Sequence, residues 1–348
     1  MPTAGVHYPA TLAQMRAWFP SDEKCLDYLD WLRWTDGFTC PHCGDVCAWE
    51  MRGRVLRCGG CRRRVSRTVG TIFQDTRIPL TAWFEAAWWM TVDKQGISAS
   101  ALQRMLDLGS YQTAWTMLHR YRVAMGTTGT VQLTGTVEAD ESFLGGHREG
   151  PRGRGALGKV MVGIAVELLD PRGFGRARIK VLPNAKAPAL ERFLLDCVEP
   201  DSLIVTDGLS SYRGATRELY RHKGFPVSGS GFHTNELLPA VHRVASLLKR
   251  WLLGTHQGSI TPGHVQAYLD EFVFRFNRRH SAERGLLFYQ LLQASVGAPP
   301  TTYRSLVVDS KPKKVSPTGR TGPKTLPGTL TRPPEDRPWR EAEASEAL

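Results

Sequence analysis

Apolar residues change their spacing along the chain, and the change predicts where helices give way to strands. Residues 1–35 and 76–128 carry apolar side chains at helical spacing, and Ser21 can cap the helix that follows it. From Val131 the spacing becomes that of strands, with the clearest alternation at 159–166. Helical spacing returns in three later segments: residues 188–198, a helix from about Leu238, and residues 261–279.

The order of these elements predicts the fold class. Three strands come first, the helix at 188–198 follows, and a short buried strand then ends at Asp207 before further helices. This order is typical of an α/β fold with a ribonuclease H-like mixed sheet flanked by helices. Upstream, two short helices within 96–123 are joined by a glycine-containing turn and resemble a helix-turn-helix. An ordinary helical hairpin fits the same pattern equally well.

Charge and composition narrow the kind of partner. The 348 residues include 45 Lys and Arg against 33 Asp and Glu, a formal net charge of +12, which suggests nucleic acid as a polyanionic partner. One basic run, residues 275–280, can lie along DNA phosphates or form a solvated helix end. No apolar run reaches 18 residues, because Glu85 interrupts the nearest, and the N-terminus has no signal-peptide pattern. We therefore expect a soluble intracellular protein without a disulfide framework.

Four of the seven cysteines form a pattern that predicts a zinc ribbon. Two Cys-x-x-Cys pairs stand fourteen residues apart: Cys40 with Cys43, and Cys58 with Cys61. Four thiolates at this spacing can surround a zinc ion, and such a site is structural because no coordination position stays open. Four unligated cysteines are the alternative, and His42 and Cys47 are spare candidates outside the paired spacing. The region is strongly basic, which is typical of a DNA-binding head: Arg52, Arg54, Arg57, Arg62, Arg63, Arg64 and Arg67.

Acidic residues stand on two of the predicted strands. In the strand that begins the sheet, Glu138 and Asp140 point to one face, while Val137 and Glu141 point to the other. A carboxylate on a central strand is costly unless it is paired or binds a metal, although exposed acids at a strand end would also fit. Asp207 ends the fourth strand in an Asp-Gly pair, which is also a common turn signal. Together, Asp140 and Asp207 form half of a predicted metal site, to which we assign neither Glu138 nor Glu141.

The third ligand is predicted on the helix that begins near Leu238. His242 and Lys249 are seven residues apart on that helix, which places them two turns apart on nearly one face. No acidic residue lies within the helix, so an imidazole occupies the position where a carboxylate is expected. A neutral histidine can bind a divalent metal, but a lone helical histidine is more often a satisfied core residue. Glu236, just before the helix, is the alternative third ligand.

With these residues assembled, the chain resembles insertion-sequence transposases of the DDE type. The resemblance is to the branch with an amino-terminal zinc ribbon and an ISXO-type catalytic domain, and it runs from about Cys40 to His280. Beyond the ribbon it rests on a few segments: residues 66–73, 137–146, 205–208 with Tyr212, 246–250, 268–272 and 275–279. Many relatives have a glutamate seven residues before the matching lysine, where this chain has His242. The chain thus looks like the subgroup that uses Asp, Asp, His and Lys.

The resemblance implies phosphoryl transfer on DNA with two metal ions. Asp140 and Asp207 would hold two Mg²⁺ (or Mn²⁺) ions, with His242 completing one coordination sphere. Lys249 would contact a phosphate near the scissile bond. The ribbon, with its structural Zn²⁺, and the helical segment behind it would hold the terminal inverted repeats. Alternatives are a catalytically impaired DNA-binding protein derived from a transposase, and a nuclease without strand transfer.

The same resemblance sets the expected organisation of the chain and its partners. Double-stranded DNA is the expected partner, both as inverted repeats and as target, with a homodimer or larger assembly and a cytoplasmic, nucleoid-associated location. A basic loop at 145–158 is predicted to be mobile, and the chain is predicted to be disordered from about Lys311. The predicted domains follow in order: N-terminal helices 1–35, zinc ribbon 36–75, helical DNA-binding segment 76–128, ribonuclease H-like catalytic domain 129–285, and an extension with a disordered basic tail 286–348.

Overall fold

The structure is a computed structural model of the chain. It describes these residues: 2–51, 55–128, 131–145, 159–171, 173–225, 237–258 and 260–309. Several predictions fall outside these ranges, namely the alternative ligand Glu236, the ribbon residues Arg52 and Arg54, nearly all of the basic loop, and the C-terminal tail. Among the described residues, no helix is both long enough and apolar enough to cross a membrane.

The described residues form helices along the whole length of the sequence and two separate sheets. The helices are α1 Leu12–Trp18, α2 Asp22–Arg33, α3 Leu80–Val92, α4 Ala99–Met105, α5 Tyr111–Thr128, α6 Ala187–Cys197, α7 Ser210–Thr216, α8 Pro239–His256, α9 Val265–Asn277, α10 Arg284–Gly297 and α11 Tyr303–Asp309. The strands are β1 Ala48–Glu50, β2 Val55–Cys58, β3 Arg64–Ser66, β4 Thr136–Leu144, β5 Val160–Leu168, β6 Phe174–Val181, β7 Leu203–Thr206 and β8 Arg221–Gly224. A short 3₁₀ turn, Pro262–His264, precedes α9.

One hydrophobic core joins helices that are far apart in the sequence. It contains buried side chains of α1 to α5 together with α10, and its largest members include Trp83, Tyr121 and Phe288. Ser21 caps α2 as predicted, accepting a hydrogen bond from the backbone N–H of Lys24. The N-terminal helices, the helical segment and part of the C-terminal extension therefore fold together.

The α4–α5 pair forms a hairpin whose second helix is packed inside the protein. Nine-tenths or more of the surface of Met117, Leu118, His119 and Tyr121 is buried, and the exposed residues of α5 are confined to its two ends. A helix-turn-helix presents its second helix to DNA mainly through its N-terminal residues. On α5, that exposed N-terminal part consists of Tyr111 and Gln112.

The larger sheet has the strand order β6-β5-β4-β7-β8. The strands β4, β5 and β6 pair antiparallel, whereas β4, β7 and β8 pair parallel, so the sheet is mixed. Helices α6 and α7 pack on one face, and α8 and α9 pack on the other. This arrangement confirms the predicted ribonuclease H-like α/β class. Strand β8 was not predicted because its sequence, Arg-His-Lys-Gly, has no apolar residue.

Side chains along β4 alternate between the two faces of the sheet, and each face is covered by a different pair of helices. Val137 and Ala139 lie in the core beneath α6 and α7, while Leu144 belongs to the core beneath α8 and α9. Residues 138 and 140 are on the same face as 144 because side chains alternate along a strand. Glu138 and Asp140 therefore face α8, in agreement with the alternation predicted from the sequence.

A buried ion pair connects the helical core to α9, one of the helices that cover the larger sheet. Nε of Arg122 on α5 donates to Oε2 of Glu271 on α9 at 2.8 Å, and the two side chains are 1% and 0% exposed. Arg275 lies on the other side of Glu271 and donates to the backbone carbonyl of Asp93. The Arg122 guanidinium also stacks over the ring of Tyr268.

The basic run at 275–280 is held by the protein. Arg278 donates to Gln290 and to a backbone carbonyl, and Arg279 donates to the carbonyls of Gly175 and Phe276. Both guanidinium groups also stack on phenylalanine rings. Charge alone suggested either DNA phosphates or a solvated helix end, but these contacts make Arg275, Arg278 and Arg279 part of the packing.

A second ion pair lies at the edge of the larger sheet. The Glu167 carboxylate on β5 accepts hydrogen bonds from the guanidinium and backbone N–H of Arg176 and from the backbone N–H of Thr134. Burial alone would raise the pKa of Glu167, but the bonds from Arg176 and Thr134 outweigh it and lower the pKa. The ionised carboxylate is therefore stabilised in the folded chain.

Candidate active site and zinc cluster

The strand register brings the two predicted aspartates together. In the parallel β4–β7 pair, Glu138 lies opposite Val205. Continuing this register by two residues sets Asp140 beside Asp207, on adjacent strands about 4.8 Å apart. Both side chains are partly exposed. Each carboxylate accepts a hydrogen bond from a nearby backbone N–H group, that of Glu141 for Asp140 and that of Leu209 for Asp207. The two aspartates thus belong to neighbouring parallel strands, with Asp207 directly after the end of β7.

Helix α8 lies over this edge and contributes the other predicted residues. Asp140, His242 and Lys249 line a single cleft of about 590 Å³, together with Glu141, Ser142 and Ser246. Asp207 does not line this cleft, but it lies close enough to act electrostatically on His242. Three of the four predicted catalytic residues therefore line one cleft, and Asp207 lies near His242 without lining it.

Glu138 fixes the start of α8 against the strand that carries Asp140. Its side chain is only 3% exposed, and its Oε2 accepts hydrogen bonds from the backbone N–H groups of Ala240 and Val241 at 2.8 and 3.0 Å. These are among the N–H groups that a helix leaves without intrahelical partners at its N-terminus. Burial raises the pKa of Glu138, and the two N–H groups oppose that rise. The sequence placed Glu138 on the correct strand face but did not indicate this role.

Tyr212 lies beneath the carboxylates from the opposite face of the sheet. Its phenol, on α7, is fully buried. Burial, followed by the negative charges of Glu141, Asp140 and Asp207, raises the pKa of this phenol well above its usual value. The three carboxylates therefore surround one region of the sheet, and Glu141, which also lines the cleft, is the one whose charge acts most strongly on the tyrosine.

His242 has a buried ring nitrogen and a lowered pKa, and both properties suit a metal ligand. Burial and the positive charge of Lys249 lower the pKa of His242, and the nearby charge of Asp207 opposes the change. Its Nε2 is buried and has no hydrogen-bond partner within the described ranges. A buried nitrogen without a partner is costly, and binding a divalent cation would satisfy it.

The donor set fits a divalent metal, although it is wider than a single closed coordination sphere. Two carboxylates and one neutral imidazole are suitable ligands for Mg²⁺ or Mn²⁺, with Asp and Glu oxygens preferred by Mg²⁺. The donor atoms of Asp140, Asp207 and His242 do not form a described group within 4.8 Å of one another.

The four predicted zinc ligands converge in the ribbon. The Sγ atoms of Cys40 and Cys61 are 3.8 Å apart, and those of Cys43 and Cys58 are 3.5 Å apart. All four sulfur atoms lie within 4.8 Å of one another. A zinc ion with bonds of about 2.3 Å separates its tetrahedral sulfur ligands by about 3.8 Å. The sulfur positions therefore fit zinc, and neither His42 nor Cys47 belongs to the group.

Backbone N–H groups lower the pKa of one of these cysteines, and another N–H group links the two knuckles. Burial raises the pKa of Cys40, but the N–H groups of His42 and Cys43 outweigh it and lower the pKa to about 7. Asp45 accepts a hydrogen bond from the N–H of Gly60 at 2.5 Å, which ties the first knuckle to the second. A Cβ on Gly60 would lie 3.0 Å from the same Asp45 carboxylate, so a larger residue there would need the Asp45 side chain to shift.

The ribbon is anchored on α2 by a buried arginine. The Arg67 guanidinium binds three carboxylates, those of Asp27, Asp30 and Glu50, at 2.9, 2.5 and 3.1 Å. Its side chain is 6% exposed. Arg67 was counted with the basic surface of the ribbon, but these contacts make it a structural link.

The fold and these two sites define a ribonuclease H-like domain with a carboxylate cleft, joined to a four-cysteine zinc ribbon. Comparison with known proteins agrees with this class. Residues 132–277 match the ISXO2-like transposase domain family, and residues 20–64 match the transposase zinc-ribbon domain family. Together the two matches cover more than half of the chain. The chain belongs to the insertion-sequence transposases that combine these two domains.

A curated relative supports the same assignment over most of its length. It comes from Halobacterium salinarum and is described as an uncharacterized protein in transposable element ISH50. The two sequences are 26% identical over 277 residues, which cover 74% of this chain and 91% of the relative.

Proposed function

We propose that this transposase binds the terminal inverted repeats of its insertion sequence, cleaves the DNA ends and joins them to target DNA. The observation that supports the proposal is the cleft between β4 and α8, which Asp140, His242 and Lys249 line. Asp207 follows the end of β7, the strand that pairs parallel with β4, and its charge acts on His242. Adjacent carboxylates with a cation above them suit the transfer of a phosphoryl group, whose transition state concentrates negative charge.

Asp140, Asp207 and His242 are the residues proposed to hold two Mg²⁺ or Mn²⁺ ions. When bound, such ions lower the pKa of an attacking water or DNA 3′-hydroxyl and stabilise the leaving oxygen. The lowered pKa of His242 keeps its imidazole neutral and available as a ligand near neutral pH. Glu138 holds the helix that carries His242, so the third ligand keeps a fixed distance from Asp140.

Lys249 is proposed to position the DNA backbone. It is exposed and lies two turns beyond His242 on α8, on the wall of the same cleft. A lysine ammonium there can pair with a phosphate next to the scissile bond. Arg243, on the same wall, adds a second positive charge. These charges orient the substrate before chemistry begins.

The proposed partner is double-stranded DNA, and the proposed assembly is a homodimer or larger. A net charge of +12 supports binding to a polyanion. The basic ribbon, with its structural zinc, and the exposed N-terminal turn of α5 would hold the inverted repeats. Two element ends must be brought together for joining, which requires at least two copies of the chain. A cytoplasmic, nucleoid-associated location follows from this partner and remains a prediction.

Strand transfer by the purified chain tests the proposal. The substrate is DNA that carries the ends of the element, supplied with Mg²⁺, and the wild type is compared with Asp207→Ala and His242→Ala. Glu191→Ala is the matched control because Glu191 is an exposed carboxylate on α6, on the other face of the sheet. We expect joined products from the wild type and the control, and none from the two site variants.

Other outcomes would identify a different function or a different ligand. Full activity of His242→Ala would remove the histidine from the ligand set and make Glu236 the next residue to test. Nicked DNA without joined products would indicate a nuclease. Binding to the ends without cleavage under any metal would indicate a DNA-binding protein derived from a transposase.

A further inference from the structure

A row of aromatic and cationic side chains crosses the ribbon sheet. Trp49 on β1 lies opposite Arg57 on β2, and Arg57 lies opposite Arg64 on β3. Residues directly opposite in antiparallel strands place their side chains on the same face. Cys58 and Val65 point to the other, buried face. The row therefore occupies the outer face of the sheet, away from the zinc cluster.

The residues of this row are exposed. Trp49 is 51% exposed, and Arg57 and Arg64 are also exposed. The guanidinium of Arg62 stacks over the Trp49 ring at 5.0 Å, which adds a third positive charge beside the row. No ion pair involves Arg57, Arg62 or Arg64 among the residues that the structure describes. Arg67 differs, since its charge is already balanced by three carboxylates.

We infer that this face, Trp49 with Arg57, Arg62 and Arg64, binds the sugar-phosphate backbone of duplex DNA. The inference rests on the proposed function, which supplies DNA as the partner. Strands about 4.8 Å apart set the row across a width of about 10 Å, which suits contacts to neighbouring phosphates of one strand. Arginine is well suited to phosphate because its donors form a fixed fork. The indole of Trp49 offers an apolar surface to the deoxyribose and an N–H donor to a phosphate oxygen.

The anchoring of the ribbon supports a role in holding DNA. Arg67 ties the ribbon to α2 through Asp27 and Asp30, and α2 belongs to the core that contains α3 and α5. A face on a firmly attached ribbon transmits its contacts to the rest of the chain. Phosphate contacts fix position and orientation without reading sequence. The ribbon would thus set the position of the DNA while other residues read the repeat.

The test measures binding of the full chain to duplex DNA over a range of salt concentrations. The variants are Arg57→Ala/Arg64→Ala and Trp49→Ala, and the probes are element-end DNA and a random-sequence duplex of equal length. Arg192→Ala/Arg217→Ala is the matched control, since it removes two exposed arginines from the α6–α7 side of the sheet. Zinc content is measured on every variant, and a value equal to that of the wild type shows that the ribbon is folded.

Each phosphate contact contributes about 0.9 to the slope of log affinity against log salt, so the double variant should lower that slope by about two. Trp49→Ala should weaken binding by about the value of one lost hydrogen bond to a charged group, on the order of tenfold. Both losses should be equal for the two duplexes, and the control should bind as the wild type does. If the zinc-loaded variants bind DNA with the affinity and the salt slope of the wild type, the inference is wrong. The proposed strand-transfer function is not affected by that result. A loss confined to element-end DNA, with an unchanged slope, would also overturn the inference. Failure of the wild type to bind any DNA would overturn the proposed function as well.

Discussion

Glu138 is the residue whose substitution should separate the geometry of the active site from its chemistry. Glu138→Ala leaves the N–H groups of Ala240 and Val241 without an acceptor at the buried start of α8. An unsatisfied buried donor costs about 1–3 kcal/mol, so the two together cost about 2–6 kcal/mol if the helix stays in place. The helix can relieve this cost by fraying its first turn. That turn carries His242, so the loss would appear in the rate as well as in stability.

Glu138→Gln is the informative partner variant. The amide oxygen can accept the same two hydrogen bonds, and only the interaction of a carboxylate with the helix N-terminus is lost, which is worth about 0.3–1 kcal/mol. We therefore expect Glu138→Gln to keep most of the activity. Glu138→Ala should lose at least about tenfold in rate, the equivalent of about 1.4 kcal/mol in the barrier.

The assay is single-turnover strand transfer at saturating DNA, with DNA affinity and urea unfolding measured on the same preparations. A positioning role predicts a lower rate with unchanged DNA affinity. Wild-type rate in Glu138→Ala would refute the reasoning. So would equal rates in the Ala and Gln variants, since only one of them keeps the acceptor.

Four further predictions concern stability. Glu271→Gln leaves a buried guanidinium uncompensated and should cost about 3–5 kcal/mol in urea unfolding, whereas Glu85→Gln, in an exposed pair with the same 2.8 Å separation, should cost less than about 1 kcal/mol; equal losses would contradict this. Gly285→Ala would push a methyl group into the carbonyl oxygen of Pro9 and should lower the melting temperature, while Gly254→Ala, with nothing within 4 Å, should raise it or leave it unchanged. Because the pKa of Glu167 is lowered by folding, its stabilising contribution is present above the unfolded pKa of about 4.3 and is lost as the pH falls through the folded value. Glu167→Gln should therefore flatten the acid limb of stability against pH. Removing zinc with a chelator should release one ion per chain and unfold the ribbon, measured by circular dichroism and metal analysis, and unchanged spectra would count against a structural zinc.

Much of the fold could be predicted because its strongest elements have clear periodicity. The alternation in β4 and β5 and the helical spacing in α6, α8 and α9 identified the sheet and the helices that cover it. Strand β8 escaped because it has no apolar residue, and its place is set by pairing with β7. Helices α10 and α11 were not predicted either. Helix α10 is apolar on nearly all sides, as expected for a helix buried among others, so it lacks an amphipathic pattern.

The candidate site also contains residues that the sequence predicted and contacts that it could not predict. Asp140, Asp207, His242 and Lys249 were predicted from residue type, spacing and family resemblance, and their catalytic roles stay predictions; the structure places Asp140 within β4, Asp207 just after β7, and the other two on α8. The role of Glu138 could not be predicted, because its bonds join residues more than 100 positions apart. The arginines at 275–279 show a different limit of the sequence, because charge suggested DNA phosphates or a solvated helix end and gave no sign of the tertiary contacts that the guanidinium groups make.

The arrangement of β4 explains how one short strand can organise the whole site. On the face toward α8, Glu138 holds the start of the helix, and two residues later Asp140 faces the cleft that this helix closes. On the other face, Glu141 lies over the buried phenol of Tyr212. Period-two alternation therefore directs the anchoring Glu138 and the proposed ligand Asp140 to one face of the strand and Glu141 to the other. A shift of one residue in the register of β4 would exchange these faces and break the helix anchor and the aspartate pair at once. The site consequently depends on the pairing of β4 with β5 and β7, and its geometry is as rigid as the centre of the sheet.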